Sequence, residues 1–165
     1  MRIIEWLLPE YDREMGLTRR ALARVPMDRA DFRPHPRSMT LGALATHLAT
    51  MPSWATETMT RTELGLRSSE RIDPLATREA LVAAFDGHVS RGRTHLASAS
   101  DAELMVPWSF LVDDEVLFTM PRLAVLRTFV LNHTVHHRGQ LTVYLRLLDV
   151  PVPSLYGPSA DEGTR

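Results

Sequence analysis

A chain of 165 residues with 44% hydrophobic and 24% charged side chains is sized for one domain, residues 1–165, with a core large enough to fold on its own. Its 20 acidic and 19 basic residues leave a formal net charge of -1 and no basic stripe, which sets nucleic acid aside as a partner. The lack of cysteine excludes disulfides, Cys-ligated zinc or iron–sulfur centres and a thiolate nucleophile of the protein's own, so any thiol chemistry must use an external sulfur. No apolar run reaches the roughly 18–20 residues of a membrane span. The opening Met1–Pro9 is too short for a signal sequence and carries Glu5, so a soluble cytoplasmic protein is expected.

Apolar residues at Leu8, Tyr11, Met15, Leu22 and Val25, with Thr18 in phase, step by three and four and predict a first helix over about 9–24. Pro9 suits its first turn and Pro26 ends it. A proline-bearing loop, 27–37, leads to Thr40, which can cap a second helix through Leu41, Leu44, Leu48 and Met51, with His47 at the edge of that stripe. Pro52 then kinks or restarts the helix, and the polar stretch 64–73 reads as a loop. A third helix over about 77–98 is capped at Thr77 and carries Leu81, Phe85, Val89, Gly92 and Leu96. Residues 105–118, with Asp113-Asp114-Glu115 between two apolar pieces, fit a hairpin or an ordered loop. The longest element, about 121–148, aligns Leu123, Leu126, Val130, His133, His137, Leu141, Tyr144 and Leu148. The expectation is an all-α protein, an antiparallel four-helix bundle with long inter-helix connections.

His133 and His137 lie one turn apart, about 40° around the axis, in a seam that could have held Leu or Val. Buried imidazoles need partners, and two at i and i+4 can share one divalent ion; hydrogen-bonded core histidines are the alternative. His47, inward on another helix, can complete a set of three and leave a position open for water or substrate. His35 reads as a solvated turn residue, and His88 and His95 fall off the core line of their helix. His136 also neighbours His133, but His137 keeps phase with Leu141 and Tyr144. Gln140, one turn beyond His137, can orient a ligand imidazole or bond to backbone. Arg138 is expected in a surface ion pair or an interface, Tyr144 in the core or on a substrate anion. The eight methionines and eleven aromatics read as core packing.

The run Leu131-Asn132-His133-Thr134-Val135-His136-His137-Arg138-Gly139-Gln140-Leu141, then Tyr144-Leu145-Arg146 and the tail 152–162, resembles the DinB/YfiT-like family. The stretch Pro34–Ala49 is similar to that family's other landmark, so the likeness runs from about residue 8 to 163. It implies a four-helix bundle with a divalent metal, zinc or nickel most often, held by His47, His133 and His137, and commonly a homodimer. It also implies thiol-dependent chemistry: S-transferases using bacillithiol, or isomerases using mycothiol whose larger members carry a further domain for which this length has no room.

An ion held by three neutral imidazoles keeps its full double charge and lowers the pKa of a bound water or thiol. The expected function is therefore a metal-dependent transferase taking a small external thiol and a small-molecule substrate. The catalytic groups stay unassigned beyond a metal-bound water or thiol, with Gln140 beside the ligands. Metal-assisted hydrolysis is weakened because no inward carboxylate is evident near the histidines. A metal-binding or stress-response protein without turnover is the reading from another class.

Overall fold

The computed structural model describes residues 2–69 and 73–163. Helix α1 spans Ile4–Leu22, one turn and more ahead of the expected start. Ile4 and Leu7 are buried with Tyr11 and Met15, extending the apolar stripe backwards and leaving Pro9 inside the helix. The backbone N–H of Ile3 at this early start donates to Asp101 Oδ1 at 2.8 Å, while that of Arg2 donates to Glu5 Oε2 at 3.2 Å.

A 3-10 turn, Met27–Arg29, precedes α2 (Leu41–Thr50), whose N-cap is Thr40: its hydroxyl accepts from the Ala43 N–H at 3.2 Å. Pro52 restarts the chain as α3 (Ser53–Thr60). Thr77 caps α4 (Arg78–Ala97) in the same manner, and a Ser100/Glu103 capping box opens α5 (Asp101–Leu104). The last helical run does not hold one geometry as expected: α6 (Arg122–Val125) passes into a π-helical segment, Leu126–Asn132, and then into α7 (His133–Leu147). α1 packs on α4 and α7, and α2 packs on the same two helices, around Leu22, Leu41, Leu44, Leu48, Leu81 and Leu141.

The all-α expectation needs correction, because a small three-stranded sheet accompanies the helices. β2 (Pro107–Val112) and β3 (Glu115–Pro121) form the hairpin that 105–118 allowed, turned by Asp113 (φ 49°) and Asp114 (φ 69°), the paired positive angles of a tight two-residue turn. β1 (Glu63–Leu66) lies where a loop was expected and pairs parallel with Ser109–Val112. Its four residues carry only weak alternation, and a partner more than forty residues away makes it a strand. Residues 70–72 of that expected loop lie outside the described residues. Among the described residues, no helix is long and apolar enough to cross a membrane.

Asp149 (φ 57°) turns the chain out of α7, and the tail returns along α1. Ion pairs of Glu162 with Arg20 and Arg24 tie it there, and Asp161 ties it to Arg146 of α7 at 2.5 Å.

Candidate metal centre

The site begins with two helices that each lift one side of their apolar stripe into polarity. On α2, Leu44 and Leu48 are sealed in the core while His47 between them is half-buried at the edge. On α7, His133 is the first residue after the π-helical segment and His137 stands one turn on, between buried Val130 and Leu141. A π-helical stretch widens the turn, and it ends here at the first of these imidazoles.

The three rings converge. His133 Nε2 lies 2.7 Å from His137 Nε2, and the His47 ring centre is 5.3 Å from that of His133 and 4.7 Å from that of His137, both edge-on. One nitrogen from each falls within 4.8 Å of the others, a group that could hold a metal ion. His137 Nδ1 is 2.7 Å from Gln140 Oε1, which accepts the Nδ1–H and leaves a lone pair on Nε2.

Burial is the main reason all three imidazoles resist protonation. His47 is pushed down to about 4, by burial first and then by its neighbours His137 and His133. His133 is lowered by burial and by His137 and His136. His137 is lowered by burial, against an upward pull from its hydrogen bond to Gln140. Neutral imidazole is the form that ligates metal, and no protein hydrogen bond reaches the His47 ring among the described residues. Three neutral nitrogen donors facing one point suit a divalent ion of the zinc or nickel type, so the residues fit the group.

The other histidines stay apart. His136 is exposed, His35 accepts from the Arg37 N–H at 3.1 Å in a loop, and His88 pairs with Arg91 at 2.9 Å. His95 is half-buried on α4. Tyr144 is buried and donates to the Met39 carbonyl at 3.0 Å. Arg138 overturns its surface expectation: it is 1% exposed and pairs with buried Glu14 at 2.6 Å, with Thr18 Oγ1 at 3.1 Å and Tyr156 Oη at 2.5 Å beside it. The 100° rotation away from His137 points it at α1 rather than at water.

The aromatics also need correction. Trp108 and Phe85 are core, but Trp54, Phe110 and Phe129, with Met51, line a cavity of about 260 Å³ against His47 and His133. The alternation of Trp108, Phe110 and Phe118, Met120 was a visible strand signal, yet which surface it would cover was not. Glu57, also missed, lines a second cavity with His47 and is held by Arg61 Nε at 2.8 Å.

The sequence model of the DinB family matches residues 6–164, and the chain belongs to the DinB family. It is 46% identical over 37 residues to the uncharacterized protein YrdA of Bacillus subtilis strain 168, a match that takes in 22% of this chain and spans only 22% of that protein's length. In fold it is similar to a DinB-like protein from Bacillus cereus ATCC 10987 (TM-score 0.72, 22% identity, 92% of this chain and 97% of the other). It is similar also to the DinB-like protein YjoA of Bacillus subtilis (TM-score 0.65, 15% identity, 87% and 92%).

Proposed function

We propose that His47, His133 and His137 bind one divalent ion, zinc or nickel first, within an antiparallel four-helix bundle of α1, α2, α4 and the α6–α7 run, and that the chain is a metal-dependent transferase using a small external thiol. The observation that carries this reading is the convergence of three neutral imidazole nitrogens beside a cavity, in a protein with no sulfur nucleophile of its own.

A divalent ion with only neutral ligands would lower the pKa of a thiol brought to it. The transfer forms a sulfur–carbon bond as the electrophile's bond to its leaving group breaks, and the thiol proton departs with that group. The chain's part is positional. Gln140 fixes the His137 ring, the aromatic wall keeps water from the His47 and His133 side, and the closed tail holds α1 against α7. A homodimer working in the cytoplasm belongs to the same proposal.

Hydrolysis is the second reading, favoured by Glu57, a carboxylate on a cavity shared with His47, one oxygen of which is ion-paired with Arg61. Elemental analysis of protein purified without a metal-affinity tag, beside the His47→Ala, His133→Ala and His137→Ala variants, is the first test. The expected result is near-stoichiometric metal in the parent, its loss in each variant, and turnover of a generic electrophile that requires added thiol. Metal uptake that survives all three substitutions overturns the site. Bound metal that only raises the unfolding temperature, with no thiol-stimulated turnover, replaces the transferase by a metal-binding or stress-response protein.

A further inference from the structure

Besides the cavity that His47 shares with Glu57, the three-histidine centre borders two spaces of different chemistry. On the side of His47 and His133 is the 260 Å³ space walled by Met51, Trp54, Phe110 and Phe129. Besides the two imidazoles and the Trp54 indole N–H, its lining has no polar side chain. The walls brace one another: the Trp54 ring is 5.1 Å from Phe110 and 5.9 Å from Phe129, and Phe129 stacks on Phe118 at 4.7 Å and 3°. A wall fixed by ring-on-ring contacts keeps its shape without a ligand.

On the His137 side is a space of about 290 Å³ lined by Arg37, Ser38, Gln140 and Tyr144. Met39 and Leu44 also line it, and the Tyr144 hydroxyl is committed to the Met39 carbonyl, so the donors it offers a ligand are chiefly Arg37 and Gln140. Arg37 is exposed and meets no carboxylate among the described residues. Gln140 commits its Oε1 to His137, which leaves its amide N–H groups for something else. No acidic side chain lines this cavity.

We propose that the site is divided between two co-substrates: an apolar, ring-sized electrophile enters the aromatic cavity against His47 and His133, and the anionic group of the thiol is held by Arg37 and Gln140 on the His137 side. Naming the second molecule a thiol rests on the transferase reading; the division itself rests on the two linings. The size follows from volume, since a dry cavity of about 150 Å³ accepts benzene. A space of 260 Å³ takes a ring with one or two small substituents. A guanidinium with a neighbouring amide donor suits a carboxylate or sulfonate.

The test uses two probes on full-length, metal-free protein: toluene for the apolar side and ethanesulfonate for the anionic side, both followed by NMR titration. Toluene is expected to bind the parent, to lose affinity about tenfold or more in Phe110→Asn, and to bind Arg37→Ala as it binds the parent. Ethanesulfonate is expected to weaken about tenfold in Arg37→Ala and to ignore Phe110→Asn. In the parent, toluene should shift the Trp54 indole resonance and leave that of Trp6 in place, a readout that needs no substitution to fold. Toluene that leaves Trp54 unmoved, or probes affected equally by both substitutions or by neither, overturns the division. Because no metal is present, the outcomes separate: correct partition with no zinc uptake in a parallel titration sinks the transferase reading alone, and zinc uptake with indifferent probes sinks the division alone.

Discussion

Replacing Arg138 by Met removes a cation from a place where water cannot substitute for it. Its side chain is 1% exposed and that of its partner Glu14 is 8% exposed. The guanidinium donates to Glu14 Oε2 at 2.6 Å, to the Glu14 carbonyl at 2.9 Å and to Thr18 Oγ1 at 3.1 Å. After the substitution, the carboxylate keeps only the Tyr156 hydroxyl, at 2.6 Å, against a charge that has lost its partner. Breaking one half of a buried pair costs about 3–5 kcal/mol, which in a domain of this size lowers the melting temperature by about 6–20 °C. Circular-dichroism melts of metal-free protein measure it. The double variant Glu14→Leu/Arg138→Met buries no charge and should recover most of the loss, because an apolar pair of similar volume does the structural work of the ion pair. A single variant melting within about 2 °C of the parent, or a double variant no better than the single, refutes the reasoning. Zinc stoichiometry should be the same in all of them, since Arg138 faces α1 while His137 faces α2.

Three further outcomes are expected. Gln140→Ala frees the His137 ring and should weaken zinc binding by about 10–100-fold in a competition titration with a chromophoric chelator, with little change in melting temperature. Metal-free protein should lose stability as pH falls below the ordinary histidine range towards about 4, where His47 takes its proton. The sign follows from the lowered folded-state values of His47, His133 and His137: the unfolded chain binds protons first, so stability is full above about pH 6.5 and declines on acidification; denaturant titrations at stepped pH that stay flat over this window would argue against it. Gly92→Ala should cost about 1–3 kcal/mol in a chemical melt, because the new methyl group would sit 2.8 Å from both Ala55 Cβ and Tyr11 Oη where α4 meets α3 and α1.

The helices were readable because each carries its own punctuation and its own period. Thr40 and Thr77 cap where their sequence position says, and Leu44/Leu48 and Leu81/Phe85 face inward as their spacing requires. The histidine triad was approachable for the same reason: His133 and His137 interrupt a seam that otherwise runs Val130, Leu141, Tyr144, and a local interruption is visible in a local pattern. The early start of α1 was not, since the Ile3 N–H finds its partner in Asp101, about a hundred positions along the chain. Nor was the buried state of Arg138, because an ionised side chain on a helix is exposed unless something distant neutralises it; Glu14 does so from the other end of the sequence, and the Tyr156 hydroxyl accepts a hydrogen bond beside it.

The part of the site that gives it selectivity was the least readable, and the reason is topological. β1 becomes a strand only by pairing with β2, and the hairpin presents Phe110 to α3 only because of that register and of the irregularity between Phe110 and Leu111. Trp54 and Phe129 then meet Phe110 and Phe118 across four elements, α3, the π-helical segment and the two hairpin strands. Histidines on helices report the chemistry a chain can do from within one or two turns, whereas the walls that choose what enters are assembled from long-range pairs. Substitutions on the hairpin face should therefore change which molecules bind while leaving the imidazole group intact, and substitution of His137, which does not line the aromatic cavity, should remove the metal while leaving that cavity able to bind toluene.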